Sequence, residues 1–439
     1  MRTIVISSNC SGGGKTTITL GLMKALMNRG YEVQGYKVGP DYIDVAFHSH
    51  VTAKPSRNLD LFLMGEEGVK ASFTRGIKAS GEKSLGVIEG VMGLYDGKGI
   101  TTEFSTAHLA KTLDLPVVLI ISPKAQCATL CAEINGIVNF EDMNIVGVIL
   151  NNISEGYFKL LNCAIEKNCN IKVFGYVPKD ERLSLKSRHL GLVQSSEIEN
   201  LDSKVSLCSE LIEKNVNLDE LIECFKDNNG YEDKFHEHNK GMRIAVALDD
   251  AFSFYYRENL ELLEELGEII YFSPIGDNEL PRNIDFLYIG GGYPEVFIKE
   301  LSNNKSMLLS IKDALLNGLH CYAECGGLMY LSESINGIST VGFFSGGSYM
   351  TNKLQNFGYA KLKVKDKKLT GDNTLEINCH EFHKSYVKLN EEKKFKLTKI
   401  MYNDDIKKWS CGYIKNNTIA MYGHVHFFGN IKFLESLLK

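Results

Sequence analysis

The chain has no apolar run long enough to span a bilayer, and its N-terminus lacks the apolar core and cleavage site of a secretory signal. It has no excess of positive charge either. Against 49 Lys and Arg stand 54 Asp and Glu, a net charge of −5 that disfavours a nucleic-acid partner. The 11 cysteines lack paired spacings, which indicates a reduced chain without a disulfide framework. These absences predict a cytoplasmic protein with neither a membrane nor a nucleic-acid partner.

The first half of the chain has the pattern of an α/β domain. Apolar segments of strand length, such as Thr3–Ser7 and Val117–Ile121, alternate with helical patterns such as Thr16–Asn28, which ends near Gly30. Near-continuous apolar strands separated by helices predict a parallel sheet covered on both faces.

The length of 439 residues, of which 44% are hydrophobic, predicts two domains. A polar stretch without apolar periodicity, residues 226–241, is interpreted as the linker between them. The predicted domains are therefore residues 1–225 and 242–439. A second strand–helix series begins at Arg243–Leu248, and the segments after Val341 are shorter and richer in β-type residues.

The first predicted strand runs directly into a glycine-rich loop and then a helix, which is the context that a P-loop requires. In such a loop, backbone N–H groups converge on phosphate. Lys15 would reach the β- and γ-phosphates, and the Thr16 hydroxyl would bind Mg²⁺. Asn9 stands where the strict pattern has glycine, so a turn without nucleotide is the alternative. The loop predicts ATP and Mg²⁺ as cofactors, with ATP contacts from Gly12, Gly13, Gly14, Lys15, Thr16 and Thr17.

Carboxylates follow the next two strands of this predicted sheet. Asp41 and Asp44 follow the second strand, Glu89 ends the third, and Asp96 lies in the loop after it. Open α/β sheets bind ligands at this carboxyl edge. The prediction is that Thr16, Asp41 and Glu89 form the metal side, and that Asp44, Tyr42 and Asp96 face the substrate. The alternative is that one of the four carboxylates caps a turn or a helix.

The second half contains a cysteine at the junction of a predicted strand and helix, Glu324-Cys325-Gly326. This is the arrangement of a nucleophile elbow, with Cys325 in the place of serine. Backbone N–H groups of Gly326, and of Gly291 and Gly292 in an earlier glycine run, would form the oxyanion hole. His424 and His426 are the two candidate bases late in the chain.

Two other groups of residues are interpreted as structural. Cys321 is expected to pack in the core. The segment His380–His383 is one residue short of the H-E-x-x-H zinc motif and has a β-like pattern, so helical ligand spacing fails.

A P-loop domain joined to a Cys-elbow domain predicts ATP-driven amide formation with glutamine as nitrogen donor. Over nearly its whole length the chain resembles the cobyrinate a,c-diamide synthase family, the glutamine-dependent amidoligases of cobalamin biosynthesis. The stretches that carry the resemblance are Lys37–Asp44, Asn58–Asp60, Glu89–Gly97, Ser105–Ala110, Arg188–Leu192, Gly290–Glu295, Ala323–Gly327 and His380–His383.

The resemblance implies a dethiobiotin-synthetase-like P-loop domain followed by a class I glutamine amidotransferase domain. It implies a corrinoid, glutamine and ATP as small-molecule partners, with the a and c carboxylates amidated in turn, and leaves a homodimer open. Cys325 is then the glutaminase nucleophile and His424 its base. Many class I amidotransferases follow this histidine with Pro-Glu, where this chain has Val425-His426. That departure predicts a Cys–His dyad with an undefined orienting group.

Two kinds of alternative remain at this stage. The same chemistry could act on nickel-sirohydrochlorin or hydrogenobyrinic acid, and the sequence does not separate these rings. A P-loop switch ATPase of the partitioning type is an alternative of another class. Such proteins usually carry an extra lysine early in the loop, which is absent from Ser8–Gly14, and they lack a Cys-elbow domain.

Overall fold

The computed structural model of the chain describes residues 1–81, 83–183, 201–364, 366–370 and 374–439. Arg188–Leu192, one of the stretches that carry the resemblance, lies outside the described residues. The chain divides into two compact units, here the first unit and the second unit. No helix in the described part of the chain is long and apolar enough to cross a membrane. The first unit comprises Met1–Leu61 and Val69–Lys234, and the second comprises Phe62–Gly68 and Phe235–Lys439.

The elements of the first half of the chain alternate between strand and helix as predicted. A short 3₁₀ turn, Glu181–Leu183, precedes the undescribed segment. In chain order the elements are β1 Arg2–Ser8, α1 Lys15–Asn28, β2 Glu32–Val38, α2 Tyr42–Thr52, β3 Arg57–Leu59, α3 Leu61–Lys78, β4 Ser84–Glu89, α4 Thr106–Thr112, β5 Val117–Ile121, α5 Ala128–Phe140, β6 Ile145–Ile153, α6 Glu155–Asn168, β7 Lys172–Pro178, α7 Leu201–Asn215, α8 Leu218–Glu223 and β8 Lys226–Asp227.

The main sheet of the first unit has the strand order β3-β2-β4-β1-β5-β6-β7, and all of these neighbours run parallel. The two residues of β8 pair antiparallel with β1. Every residue of β4 and β5 is buried, as a sheet covered on both faces requires. The predicted parallel α/β sheet is confirmed, and its carboxyl edge carries the P-loop and the predicted carboxylates.

Helix α1 begins one residue earlier than predicted, at Lys15, and ends at Asn28. Gly30 follows with a φ of 85°, and its N–H donates to the carbonyl of Met27 at 2.9 Å. This left-handed position is the one at which glycine commonly ends a helix. The predicted role of Gly30 is confirmed.

The second half of the chain begins as an α/β series and becomes β-rich. The last strands are followed by a 3₁₀ turn, Phe427–Gly429. In chain order the elements are β9 Met242–Ala247, β10 Phe252–Phe254, α9 Arg257–Leu266, β11 Gly267–Phe272, β12 Phe286–Ile289, β13 Gly291–Gly292, α10 Ile298–Asn303, α11 Lys305–Leu316, β14 His320–Glu324, α12 Gly326–Leu331, β15 Ser334–Ile335, β16 Ile338–Ser339, β17 Gly346–Val364, α13 Lys367–Thr370, β18 Leu375–Leu389, β19 Phe395–Ile400, β20 Ile406–Cys411, β21 Tyr413–Lys415, β22 Thr418–Met421, β23 His424–Val425 and α14 Ile431–Leu437.

One sheet of the second unit has the order β11-β9-β12-β14-β22-β21, with only β21 antiparallel to its neighbour. The carboxyl ends of β12 and β14 lead into the glycine run and the cysteine elbow, respectively. A second sheet has the order β16-β15-β17-β18-β23, and its strand β23 places His424 opposite His380 of β18. The β-rich end of the chain, predicted from about Val341, is confirmed. The prediction of shorter segments is wrong, because β17 has 19 residues and β18 has 15, and the two pair along most of their length.

Candidate active sites

The loop between β1 and α1 has a backbone that its glycines permit. Gly12 and Gly14 have φ values of 75° and 87°, in the left-handed region that favours glycine. A Cβ at Gly14 would stand 2.2 Å from Nδ2 of Asn151. The same Asn151 amide donates to the carbonyl of Gly13 at 3.0 Å. The end of β6 therefore holds the loop in place, which is the rigidity that a phosphate-binding loop needs.

Lys15, the first residue of α1, is folded back onto this loop. Its Nζ donates to Oγ of Ser8 at 2.9 Å, to the carbonyl of Cys10 at 3.2 Å and to the carbonyl of Met92. Burial, followed by the nearby charge of Lys37, lowers the pKa of Lys15. The ammonium thus lies in an electrostatically unfavourable position that an anionic phosphate would relieve.

Glu89 is fully buried at the end of β4 and accepts three hydrogen bonds. Its Oε1 accepts from Oγ1 of Thr16 at 2.6 Å and from Nζ of Lys37 at 3.0 Å. Its Oε2 lies 2.7 Å from Nε2 of His48. Burial alone would raise the pKa of Glu89, but the charge of Lys37 and the His48 and Thr16 hydrogen bonds hold it well below its usual range. Glu89 is therefore an ionised carboxylate with both oxygens already engaged.

Asp41 and Asp44 have different roles, although they are only three residues apart. Asp41 is the N-cap of α2, and its Oδ1 accepts from the N–H groups of Ile43 and Asp44 at 2.8 and 3.0 Å. The Asn58 amide donates to the carbonyls of Gly39 and Asp41, which fixes the loop. Of the alternatives drawn from the sequence, helix capping therefore applies to Asp41.

Asp44 points toward the P-loop. Its Oδ1 lies 3.5 Å from Oγ1 of Thr16, and its Oδ2 is 2.6 Å from Nζ of Lys37. Burial, together with the charges of Asp41 and Glu89, raises the pKa of Asp44, while Lys37 opposes that shift. Lys37 thus forms ion pairs with two carboxylates, Asp44 and Glu89, and compensates only one of their two charges.

A cavity of about 740 Å³ opens beside the loop. Of the residues predicted from the sequence, Gly12, Gly14, Lys15, Thr16, Thr17, Asp41, Asp44 and Glu89 line it. Asp96 is instead exposed and accepts from the N–H of Gly93 at 2.8 Å, a turn contact. Gly13 and Tyr42 are also not lining residues. Three lining residues to which sequence reasoning gave no role are Lys37, Asn151 and Asn152.

The oxygens around Thr16 and Asp44 are of the type that Mg²⁺ prefers. No group of three His, Cys, Asp or Glu side chains among the described residues is arranged to hold a metal by itself. The donor set therefore fits a cation that takes one hydroxyl and one carboxylate from the chain and its other ligands from phosphate and water.

Cys325 lies at a sharp turn between β14 and α12. Its φ of 48° and ψ of −100° are strained values for a residue other than glycine. Its N–H donates to the carbonyl of Met421 at 2.8 Å, and the residue is 7% exposed. This is the backbone of a nucleophile elbow. Cys321, expected in the core, is buried.

His424 is buried beside this elbow. Its Nδ1 lies 3.5 Å from Oε2 of Glu324, the residue before Cys325. Burial alone would lower the pKa of His424, but its contacts with Cys325 and Glu324 and the charges of both residues outweigh burial and raise this pKa to about 10. The structure thus brings together the thiol, the imidazole and a carboxylate that the sequence interpretation did not include.

The three predicted oxyanion-hole glycines lie around the same point. A Cβ at Gly291 would be 2.5 Å from Cε1 of His424, so a larger residue would collide with the imidazole. A Cβ at Gly326 would be 2.9 Å from Cδ of Pro294 and 3.1 Å from the backbone nitrogen of Gly292. The backbone of Gly292 therefore lies close to Gly326, the first residue of α12. An oxyanion hole needs backbone N–H groups from two segments at such a short separation.

Comparison with known protein families finds one family model in each half of the chain. Residues 4–193 match the model described as the CobQ/CobB/MinD/ParA nucleotide binding domain. Residues 243–431 match the model described as the CobB/CobQ-like glutamine amidotransferase domain.

Curated relatives match over essentially their full length. The chain is 66% identical to the cobyrinate a,c-diamide synthase of Clostridium tetani (strain Massachusetts / E88), and the match covers 100% of both chains. It is 63% identical to the enzyme of that name from Clostridium acetobutylicum, again over 100% of both chains. The one from Listeria innocua serovar 6a is 42% identical, over 98% of this chain and 97% of the relative.

Proposed function

Because the chain belongs to the cobyrinate a,c-diamide synthase family, we propose that it uses ATP and glutamine to amidate the a and c side-chain carboxylates of cobyrinic acid. The observation that carries the proposal is the presence, in one chain, of a P-loop cavity lined by Lys15 and Thr16 and a strained cysteine elbow beside His424. The first activates a carboxylate, and the second releases ammonia.

The ammonia comes from glutamine. The Cys325 thiolate attacks the side-chain amide carbon, and the Gly291, Gly292 and Gly326 backbone stabilises the resulting oxyanion. His424 donates its proton to the departing nitrogen, which leaves as ammonia and gives a glutamyl thioester. Water then attacks the thioester, His424 takes up a proton, and glutamate leaves. Glutamine and water thus become glutamate and ammonia, and the thiolate–imidazolium pair is restored.

The amide bond requires an activated carboxylate, because hydroxide is a poor leaving group. A side-chain carboxylate of the ring attacks the γ-phosphorus of ATP, which forms an acyl phosphate and releases ADP. Ammonia displaces phosphate from the acyl carbon and leaves the amide. Lys15 stabilises the negative charge of the phosphoryl group as it transfers.

Thr16 and Asp44 would hold Mg²⁺, and a bound Mg²⁺ would neutralise charge on the phosphates. Glu89, whose oxygens are engaged by Thr16, Lys37 and His48, would position the Thr16 hydroxyl and the Lys37 ammonium. Tyr42 and Asp96 stay predictions for corrinoid contacts.

The test is a steady-state assay of the purified chain with glutamine, ATP and Mg²⁺. Cobyrinic acid, hydrogenobyrinic acid and nickel-sirohydrochlorin are offered separately and in competition, with products followed by mass. We expect two successive amidations of cobyrinic acid at the highest kcat/KM. Faster diamide formation from either other ring would reassign the substrate, and ATP hydrolysis without amide product would favour a switch ATPase.

A further inference from the structure

Glu324 is a fully buried carboxylate immediately before the cysteine elbow. Its Oε1 accepts from the hydroxyl of Tyr322 at 2.6 Å and from the N–H of Val425 at 3.0 Å. Its Oε2 accepts from the hydroxyl of Tyr288 at 3.1 Å. A buried carboxylate that accepts hydrogen bonds from three donors is fixed in orientation.

Besides these three donors, the carboxylate of Glu324 faces the imidazole of His424. Oε2 of Glu324 and Nδ1 of His424 are 3.5 Å apart, and both side chains are almost completely buried. Oε1 of the same carboxylate accepts from the N–H of Val425, the residue that follows His424. Glu324 therefore contacts both the backbone of the His424–His426 segment and the imidazole of His424.

The second histidine of the segment, His426, has a different arrangement. The N–H of Phe428 donates to its Nδ1 at 3.3 Å, so the proton of the neutral ring is on Nε2, which faces Oε2 of Glu258 at 3.3 Å. The neighbouring Asn259 binds the carbonyl of Val425 and the N–H of Phe427. Glu258 and Asn259 therefore anchor the backbone of this segment to α9.

We propose that Glu324 is the positioning residue of the glutaminase site: it orients the His424 ring through Nδ1 and stabilises the imidazolium that pairs with the Cys325 thiolate. It would take the place of the glutamate that many class I amidotransferases carry two residues after the histidine, where this chain has His426. The inference rests on the proposed function, since it assigns a role within the glutamine-hydrolysing half.

The charges around His424 support this assignment. The groups that face it are Cys325 at the elbow, Glu324 on β14 and His380 on β18. Burial, followed by the charges of His424 and Lys399, lowers the pKa of His380 to about 3, so His380 is neutral at physiological pH. Glu324 is then the negative charge, besides the thiolate, that stabilises a protonated His424.

In this mechanism the protons move through His424, and Glu324 neither gains nor loses one. With Nδ1–H directed at Glu324, Nε2 of His424 holds the proton taken from the Cys325 thiol and gives it to the departing ammonia. The same nitrogen then accepts a proton from the attacking water. The carboxylate stays ionised through the cycle, as in serine hydrolases with an analogous triad.

The test compares Glu324→Gln with the matched variant Glu258→Gln, which alters an equally buried glutamate beside the other histidine. We expect Glu324→Gln to lower the glutaminase kcat by about 10-fold or more with little change in KM. The alkaline limb of the pH profile should move to lower pH by about half a unit or more, because His424 loses the carboxylate that raises its pKa. Glu258→Gln should leave that limb in place, and ammonia-dependent synthesis should persist in both variants.

An unchanged alkaline limb in folded Glu324→Gln, or equal shifts in both variants, would overturn the proposal. If Glu324→Gln does not fold, Tyr322→Phe replaces it as the test variant, with a shift of the pH profile in the opposite direction expected. Loss of one donor concentrates negative charge on Glu324 and should move the alkaline limb to higher pH, and an unmoved limb would again overturn the proposal. Failure of the proposed function itself would be distinguishable, because the wild-type chain would then lack glutamine-dependent synthesis.

Discussion

The two sites compensate equally buried groups in different ways. In the nucleotide site, Lys15 and Lys37 are 7% and 4% exposed and line a cavity of about 740 Å³. In the elbow site, Cys325 and His424 are likewise only 7% and 3% exposed, but the carboxylate beside His424, Glu324, belongs to the chain. The first site is arranged around a ligand that brings its own charge, whereas the second carries its reactive groups on its own strands. The two halves should therefore be separable by mutation.

The largest effect is expected at the elbow. Cys325→Ala removes the nucleophile and should lower glutamine-dependent synthesis by about 1000-fold or more. Synthesis from ammonium chloride should stay near the wild-type rate, since the phosphorylating site needs only ammonia. The measurement is the diamide rate with each nitrogen source. Loss of both activities in a folded variant would contradict the separation.

Lys15→Ala should have the second largest effect. Removal of the cation that faces the transferring phosphate should depress synthesis from either nitrogen source by roughly 100-fold or more. Glutaminase activity should survive at a basal level, measured as glutamate released without ATP. Wild-type synthesis by this variant would exclude the assigned ATP site.

Glu89→Gln tests the charge pairing inside the nucleotide site. It removes one of the two carboxylates that form ion pairs with buried Lys37, the other being Asp44, and should lower the free energy of unfolding at pH 7 by about 3 kcal/mol. It should also depress both amidations together and raise the Mg²⁺ requirement. Because its folded-state pKa is held below the usual 4.5, Glu89 stabilises the wild type above that pH and loses this contribution as the pH falls.

The measurement for Glu89→Gln is urea unfolding of both proteins at pH 7 and at about pH 3. The stability difference should shrink in acid. A difference that stays constant or grows would mean that Glu89 is not the ionised partner of Lys37. Wild-type amidation rates at low Mg²⁺ would contradict its role beside Thr16.

Features that are formed by residues adjacent in the chain could be predicted from the sequence. A strand, a glycine-rich turn and a helix follow one another at Lys15 and again at Cys325, so both sites could be predicted with their fold class. The family that these features predicted, cobyrinate a,c-diamide synthase, is confirmed by the curated relatives. The short strand β3, Arg57–Leu59, has no apolar run and gave no signal, although its pairing with β2 buries it.

The side-chain partners could not be predicted, because they depend on packing between distant segments. Glu324 faces His424, and Val425, 101 residues later in the chain, donates its N–H to the same carboxylate. His48 and Lys37 meet at Glu89 through the pairing of neighbouring strands and the direction of α2. The sequence placed Asp41 and Asp44 in one loop but did not indicate which of them caps the helix.

The smallest expected effect separates these two aspartates. Asp41→Ala removes the N-cap of α2 and should lower the free energy of unfolding by about 1 kcal/mol. Asp44→Asn removes no cap but removes a proposed Mg²⁺ ligand, so it should weaken Mg²⁺-ATP binding by about 10-fold or more and slow both amidations. Urea unfolding measures the effect of Asp41→Ala. Calorimetry of Mg²⁺-ATP binding and the mass ratio of monoamide to diamide measure the effect of Asp44→Asn. If Asp44→Asn binds Mg²⁺-ATP normally and accumulates monoamide, Asp44 is not a Mg²⁺ ligand and instead serves the substrate, as predicted from the sequence.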